Sequence, residues 1–185
     1  FGSDASMVAD MVIKELEGLS SQGVFGAVKH FPGQGGVSGD SHDGAVTLDK
    51  SLEELMQTEL VPFQKALENG VSFVMVGHIS VPQVVGDNTP ASLSQMMVSN
   101  VLREQLGYQG IVITDAMNMG AVTGNYTADQ AAVMAVNAGV DMILMPQDYE
   151  TAYNGLLQAV QDGTISEERI DESVERIVKV KLQMQ

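Results

Sequence analysis

Gly110-Ile111-Val112-Ile113-Thr114-Asp115-Ala116-Met117-Asn118-Met119-Gly120 is the stretch on which the reading of this chain turns. Ile111 to Ile113 form a β-branched apolar run, the pattern of a fully buried strand, and the run breaks off at an acidic residue. In parallel α/β architectures the carboxyl ends of the strands carry the chemistry, because side chains on the following loops converge there. Asp115 therefore reads either as a site residue at a strand end or as the N-cap of the next helix, a position that Asp favours.

The same pattern recurs on both sides. Upstream, Val71 to Gly77 reads as a strand ending at His78. Val24 to Val28 reads as a shorter strand that runs into Lys29-His30-Phe31-Pro32-Gly33-Gln34-Gly35-Gly36, a loop continuing through Asp40-Ser41-His42-Asp43-Gly44 to about Asp49. Downstream, Val140 to Met145 is a fourth strand, stopped by Pro146. Helices fill the intervals. The first covers residues 4 to 17; capping boxes open others at Ser51 with Glu54, Ser92 with Gln95 and Thr127 with Gln130; two more run over about 149–161 and 167–182, the last with Ser166 as N-cap. Pro62 interrupts the Ser51 helix.

A helix followed by four strand–loop–helix units predicts an α/β fold with a parallel sheet and right-handed crossovers. Helix-to-strand turns are short, whereas three of the four strand-to-helix loops run to about ten residues or more, beyond the usual two to six. The elaboration thus sits on one face. That face also collects all three histidines, His30, His42 and His78, together with Asp40, Asp43 and Asp115.

Composition limits the partners. A net charge of −15 in 185 residues argues against nucleic acid or an anionic membrane. No apolar run approaches the length of a membrane span, and no cysteine is present for a disulfide or a thiolate metal site. No secretory signal is visible and the chain opens at Phe1 rather than Met, which leaves localisation open between cytoplasm and export with a signal segment outside this chain.

Several motifs bear on chemistry. Asp40-Ser41-His42 puts a carboxylate two residues from an imidazole on a Gly-flanked loop; an Asp accepting from one ring nitrogen fixes the tautomer and leaves the other nitrogen for proton transfer. The plainer reading is an ordinary polar pair on a surface loop. His30, Asp40, His42 and Asp43 supply ligand types for zinc or manganese, but neither an H-E-x-x-H motif nor a close histidine pair is present, so no metal and no cofactor is expected. Gly33 to Gly36 lack the Gly-Lys-Ser/Thr of a phosphate-binding P-loop, and with Pro32 they read as a turn bringing the loop back over the strand ends. His78 has no companion motif and reads as a hydrogen-bonded structural residue. The 12 methionines fall mostly at helical or strand positions and read as core filler.

Lys29-His30-Phe31-Pro32-Gly33, Asp40-Ser41-His42, Ile113-Thr114-Asp115-Ala116-Met117-Asn118-Met119 and Ala138-Gly139-Val140-Asp141 with Leu144-Met145-Pro146 together resemble, in order and spacing, glycoside hydrolase family 3. The resemblance covers essentially the whole chain and is strongest to the β-N-acetylglucosaminidase branch, marked by the Asp-Ser-His element, whose members serve peptidoglycan recycling. It implies a retaining double displacement with Asp115 as nucleophile, His42 as acid/base, Asp40 orienting His42, and Lys29 and His30 hydrogen-bonding the sugar. Gln34 stands where that family usually has a second His. The resemblance further implies a (β/α)8 TIM barrel of about eight strand–helix units. Only about four are present, so residues 1–185 are expected to form a single partial catalytic domain, the C-terminal half of the barrel. Phe1-Gly2-Ser3 resembles the tail of a family motif whose Arg falls just before it. The expected partners are a carbohydrate substrate and, across the open sheet edges, either a second copy or the missing barrel half. Rival readings are a β-glucosidase or N-acetylglucosamine phosphorylase of the same family, or a non-catalytic, self-associating half barrel.

Overall fold

The computed structural model describes residues 2–35, 37 and 46–183. Helix α1 (Ala5–Ser20) begins where Asp4 accepts from the Met7 N–H at 2.8 Å. Strand β1 (Ala27–Phe31) follows, then a two-residue β2 (Val46–Thr47). Helix α2 (Leu52–Gln57) opens with the expected capping box of Ser51 and Glu54, and α3 (Val61–Glu68) carries Pro62 in its first turn, where a missing N–H costs nothing. Next come β3 (Phe73–Val76), β4 (Ile79–Ser80), the short α4 (Pro82–Val85), a 3-10 turn (Ala91–Leu93) and a π-helix (Met96–Gln105). Strand β5 (Ile111–Ala116), α5 (Gly120–Thr123), α6 (Ala128–Ala138), β6 (Met142–Leu144), α7 (Tyr149–Gln161) and α8 (Glu167–Gln183) complete the chain.

Four of the strands form one parallel sheet in the order β1-β3-β5-β6, as the alternation of strands and helices predicts. Strand pleating sends alternate residues to opposite faces. Val74, Val76 and Val112 pack into the helix layer with Phe63, Met97 and Leu102, while Phe73, Met75 and Ile113 on the other face stay half-buried. Phe31 meets Phe63 edge-on, ring centroids 5.4 Å apart, and seats α3 against the sheet.

Several boundaries differ from the sequence reading. Strand β1 lies three residues further on than Val24 to Val28, so Lys29 and His30 belong to the strand and not to the loop. The loops expected over residues 29–49, 79–91 and 116–126 contain β2, the β4–α4 pair and α5. Ser92 does not open a capping box. It lies in the 3-10 turn with its hydroxyl on His78, and the following helix starts after Ser94, whose carbonyl accepts from Val98 N–H at 3.0 Å. That helix is π rather than α, with Leu106 N–H reaching Val101 O at 2.9 Å.

The amino ends of the strands are closed by ions. Asp141, just before β6, has a fully buried side chain and accepts from Arg103 at 2.6 Å, Val112 N–H at 2.9 Å, Ser173 at 2.7 Å and Arg176 at 3.1 Å. Arg169 stands 4.0 Å away and donates to the Val136 and Val140 carbonyls, so all three arginines of the chain gather on this carboxylate. The cluster ties α8 and the π-helix beneath the sheet, at the end opposite Asp115. Gly139 stands beside it in a left-handed conformation (φ 110°), where a Cβ would lie 2.7 Å from the Ser99 hydroxyl.

Candidate active site

Asp115 is the penultimate residue of β5 and shares its face with Ile113. It caps no helix, since α5 begins at Gly120 after Met119 and α6 is capped by Thr127. Its carboxylate is held locally instead: Oδ1 accepts from the Ala116 N–H at 2.8 Å, and Oδ2 lies 3.5 Å from His30 Nε2 on β1. Both side chains are about four-fifths shielded yet reachable, at 22% exposed for His30 and 18% for Asp115. A carboxylate so placed can act as a nucleophile or stabilise a developing positive charge.

The strands that bring this pair together are irregular where they do so. The register slips between Val28 and Phe31 on β1 and between Ile113 and Ala116 on β5, and such irregularities re-aim side chains at strand ends. The peptide bonds Lys29–His30 and Phe31–Pro32 are cis. Gly77 sits between the two strands, where a Cβ would meet the His30 Cβ at 3.1 Å, so the absence of a side chain there admits His30. Thr114 fixes the far side, its buried hydroxyl accepting from Leu144 N–H at 3.0 Å and pinning β6 beside β5.

His78 is buried behind the pair. Its Nε2 donates to the Ala116 carbonyl at 3.0 Å and its Nδ1 stands 2.7 Å from the Ser92 hydroxyl, which agrees with the hydrogen-bonded role read from the sequence. Burial holds this imidazole below its usual value, outweighing the opposite pull of the Ala116 carbonyl and the Asp115 carboxylate. A carbonyl can only accept, so the neutral ring carries its hydrogen on Nε2 and takes the Ser92 hydrogen on Nδ1.

Of the residues singled out in sequence, His30 and Asp115 are brought together. Lys29 is exposed and lines a groove bounded by α1, β1 and the start of α3, shared with Lys50, Glu59 and Gln34. Across that groove Lys50 pairs with Glu59 at 2.6 Å. Asp40, His42 and Asp43 lie outside the described residues. Among the described residues no group of three or more His, Cys, Asp or Glu side chains could hold a metal ion. Gly77, Ser92 and Thr114 were not picked out from sequence as part of this site. Only their positions at strand ends, or fourteen residues beyond His78, connect them to it, and no local pattern marks such contacts.

The described residues define an α/β protein whose parallel sheet carries Asp115 and His30 at the carboxyl ends of its strands. Residues 1–180 match the glycosyl hydrolase family 3 N-terminal domain, and the chain belongs to that family. A β-N-acetylglucosaminidase from Paenibacillus sp. FPU-7 has a similar structure, with TM-score 0.96 and 40% identity over 99% of this chain and 35% of that one. The β-N-acetylglucosaminidase/β-glucosidase of Cellulomonas fimi is 33% identical over 98% of this chain and 34% of its own length. The β-hexosaminidase LpqI of Mycobacterium tuberculosis is 35% identical over 98% of this chain and 48% of its own length. The chain therefore spans about a third to a half of the length of these three relatives.

Proposed function

We propose that this chain carries the catalytic aspartate of a retaining β-N-acetylglucosaminidase that removes terminal β-linked N-acetylglucosamine from muropeptides or chitooligosaccharides. The observation that supports it is the Asp115 carboxylate at the carboxyl end of β5, anchored through Oδ1 and facing His30 through Oδ2. In this reading Asp115 attacks the anomeric carbon as the glycosidic C–O bond breaks. His42, oriented by Asp40, protonates the leaving oxygen. The same histidine, now neutral, then takes a proton from water, which displaces Asp115 and restores the carboxylate. Lys29 and His30 hold sugar hydroxyls. A histidine as acid/base departs from the usual pair of carboxylates, so their separation does not report the stereochemistry here. Residues 1–185 act as one partial domain, the C-terminal half of a barrel.

A second reading has its own support: the Cellulomonas fimi relative bears a double name that includes β-glucosidase. Phosphorolysis belongs in the same test, because a neutral histidine repels an anionic acceptor less than a carboxylate does. The experiment is turnover of an aryl β-N-acetylglucosaminide and the matching β-glucoside, with and without phosphate, by the chain and by Asp115→Ala. Release from the N-acetyl sugar alone, abolished in the variant and giving free sugar in the presence of phosphate, is the expected result. Equal or better turnover of the glucoside replaces the substrate assignment, a sugar phosphate as product replaces hydrolysis, and undiminished activity of Asp115→Ala overturns the assignment of the nucleophile.

A further inference from the structure

We propose that His78, locked to Ser92, is a positioning residue for the nucleophile: it fixes the Ala116 carbonyl and thereby sets where the Asp115 carboxylate points. The inference rests on the reading of Asp115 as nucleophile.

Ala116 is held at both of its backbone groups. Its N–H donates to Asp115 Oδ1 at 2.8 Å, and its carbonyl accepts from His78 Nε2 at 3.0 Å and from Met119 N–H at 3.2 Å. The two groups lie in successive peptide planes that meet at the Ala116 Cα, so holding the carbonyl restrains the strand end that carries the N–H anchoring the carboxylate. The clamp is rigid from the other side too. Ser92 is itself fully buried, donates its N–H to the Gly77 carbonyl at 3.2 Å and places its hydroxyl 2.7 Å from His78 Nδ1. One chain of hydrogen bonds thus runs from the end of β3, through the 3-10 turn and the imidazole, to the residue after the nucleophile.

Packing alone gives a poorer account of this ring. His78 is 1% exposed, and an apolar side chain of similar volume would fill the same space without bringing two polar atoms out of water. Instead both ring nitrogens are matched. The ring stays neutral, held below its usual value by burial, so it adds no positive charge beside the carboxylate that would dull its attack. At that burial the ring acts through Ala116 and not on a sugar.

The test compares the 185-residue chain with His78→Leu, which fills volume without a donor, His78→Gln, whose side-chain amide can still donate to the carbonyl, and Ser92→Ala. Two readouts are taken on each: hydrogen exchange of individual backbone amides by NMR, and steady-state hydrolysis of the aryl β-N-acetylglucosaminide. In His78→Leu the Ala116 amide is expected to lose protection by about 10-fold relative to the Val74 and Val112 amides, the scale of one hydrogen bond to a charged group. The kcat is expected to fall by about 10²-fold, as for a small misplacement of a reacting group, with KM nearly unchanged. His78→Gln recovers most of both, and Ser92→Ala falls between. Protection lost equally at Ala116, Val74 and Val112, or retained at Ala116, overturns the proposal and leaves His78 as core packing. A kcat loss with no change at Ala116 overturns it as well. The expected Ala116 response in the variants, together with a wild-type chain that hydrolyses neither aryl glycoside, supports the clamp and counts instead against catalysis by Asp115 in this chain.

Discussion

Burial holds the His78 imidazole below the ordinary histidine value of 6.5, and the nearby His30 pushes in the same direction while Asp115 and the Ala116 carbonyl oppose. The unfolded chain therefore takes up a proton at this residue before the folded chain does. Above about pH 6.5 both states are neutral there and the residue adds no pH dependence. As pH falls below that value the unfolded state binds more protons, and stability drops with a slope of at most about 1.4 kcal/mol per unit for this one group until the folded value is passed. Replacing His78 by Gln removes this contribution. Urea unfolding at pH 5, 6 and 7 is expected to show the wild-type chain losing stability toward pH 5 more steeply than His78→Gln; parallel slopes would mean that the ring titrates alike in both states. The position of Asp115 was legible because an apolar β-branched run ends at it. That of His78 was legible for the same reason at β3, but its partner was not. Ser92 with Gln95 carries the local signature of a capping box, and only the folded chain shows that the hydroxyl is taken by a residue fourteen positions upstream.

Among the elements, the order of strands and helices could be read from periodicity, and the boundaries that moved did so for physical reasons. Lys29 and His30 look like loop residues because they are polar, yet they continue β1 where its register slips and its side chains reach an open face rather than the core. The helix over residues 96–105 shows its apolar spacing in sequence, but side-chain spacing does not distinguish bonds to the fourth residue from bonds to the fifth. The Asp141 cluster was equally hidden, since its members lie on the π-helix, before β6 and along α8. It is the element-level joint of the molecule, and its energetics have a clear sign. A buried pair gains little over well-packed apolar residues, but removing one partner leaves charge stranded. Asp141→Asn keeps the shape and strands Arg103, Arg169 and Arg176 around a neutral amide, so it is expected to cost about 3–5 kcal/mol. Urea unfolding of the variant measures this, and because the carboxylate is fully buried the loss should persist in high salt. A loss below about 1 kcal/mol, or one that salt abolishes, would show that the three arginines find water in the folded state.

For the whole molecule, the four-stranded sheet of the described residues ends at β1 on one side and β6 on the other. An uncovered edge strand offers its backbone groups to another chain. Exposed large apolar side chains recur on three of the described helices. Met7 and Met11 lie on α1 ahead of β1, Tyr149, Tyr153 and Leu157 on α7 after β6, and Val174, Val178 and Leu182 along α8. The spacings of four residues make each set a stripe on one helix face, and the Tyr149 and Tyr153 rings stack at 6.2 Å. Exposed apolar stripes of this kind mark interaction surfaces. We propose that the 185-residue chain covers them with a second copy. The net charge of −15 sets the sign of the salt effect: two copies repel at long range and attract through apolar contact, so association should strengthen as salt screens the repulsion. Sedimentation at about micromolar concentration is expected to give a mass above the monomer that rises from low to high salt, and Leu157→Glu together with Val178→Glu is expected to return it to the monomer. A monomer at every salt concentration would overturn self-association and assign the three stripes to a different partner.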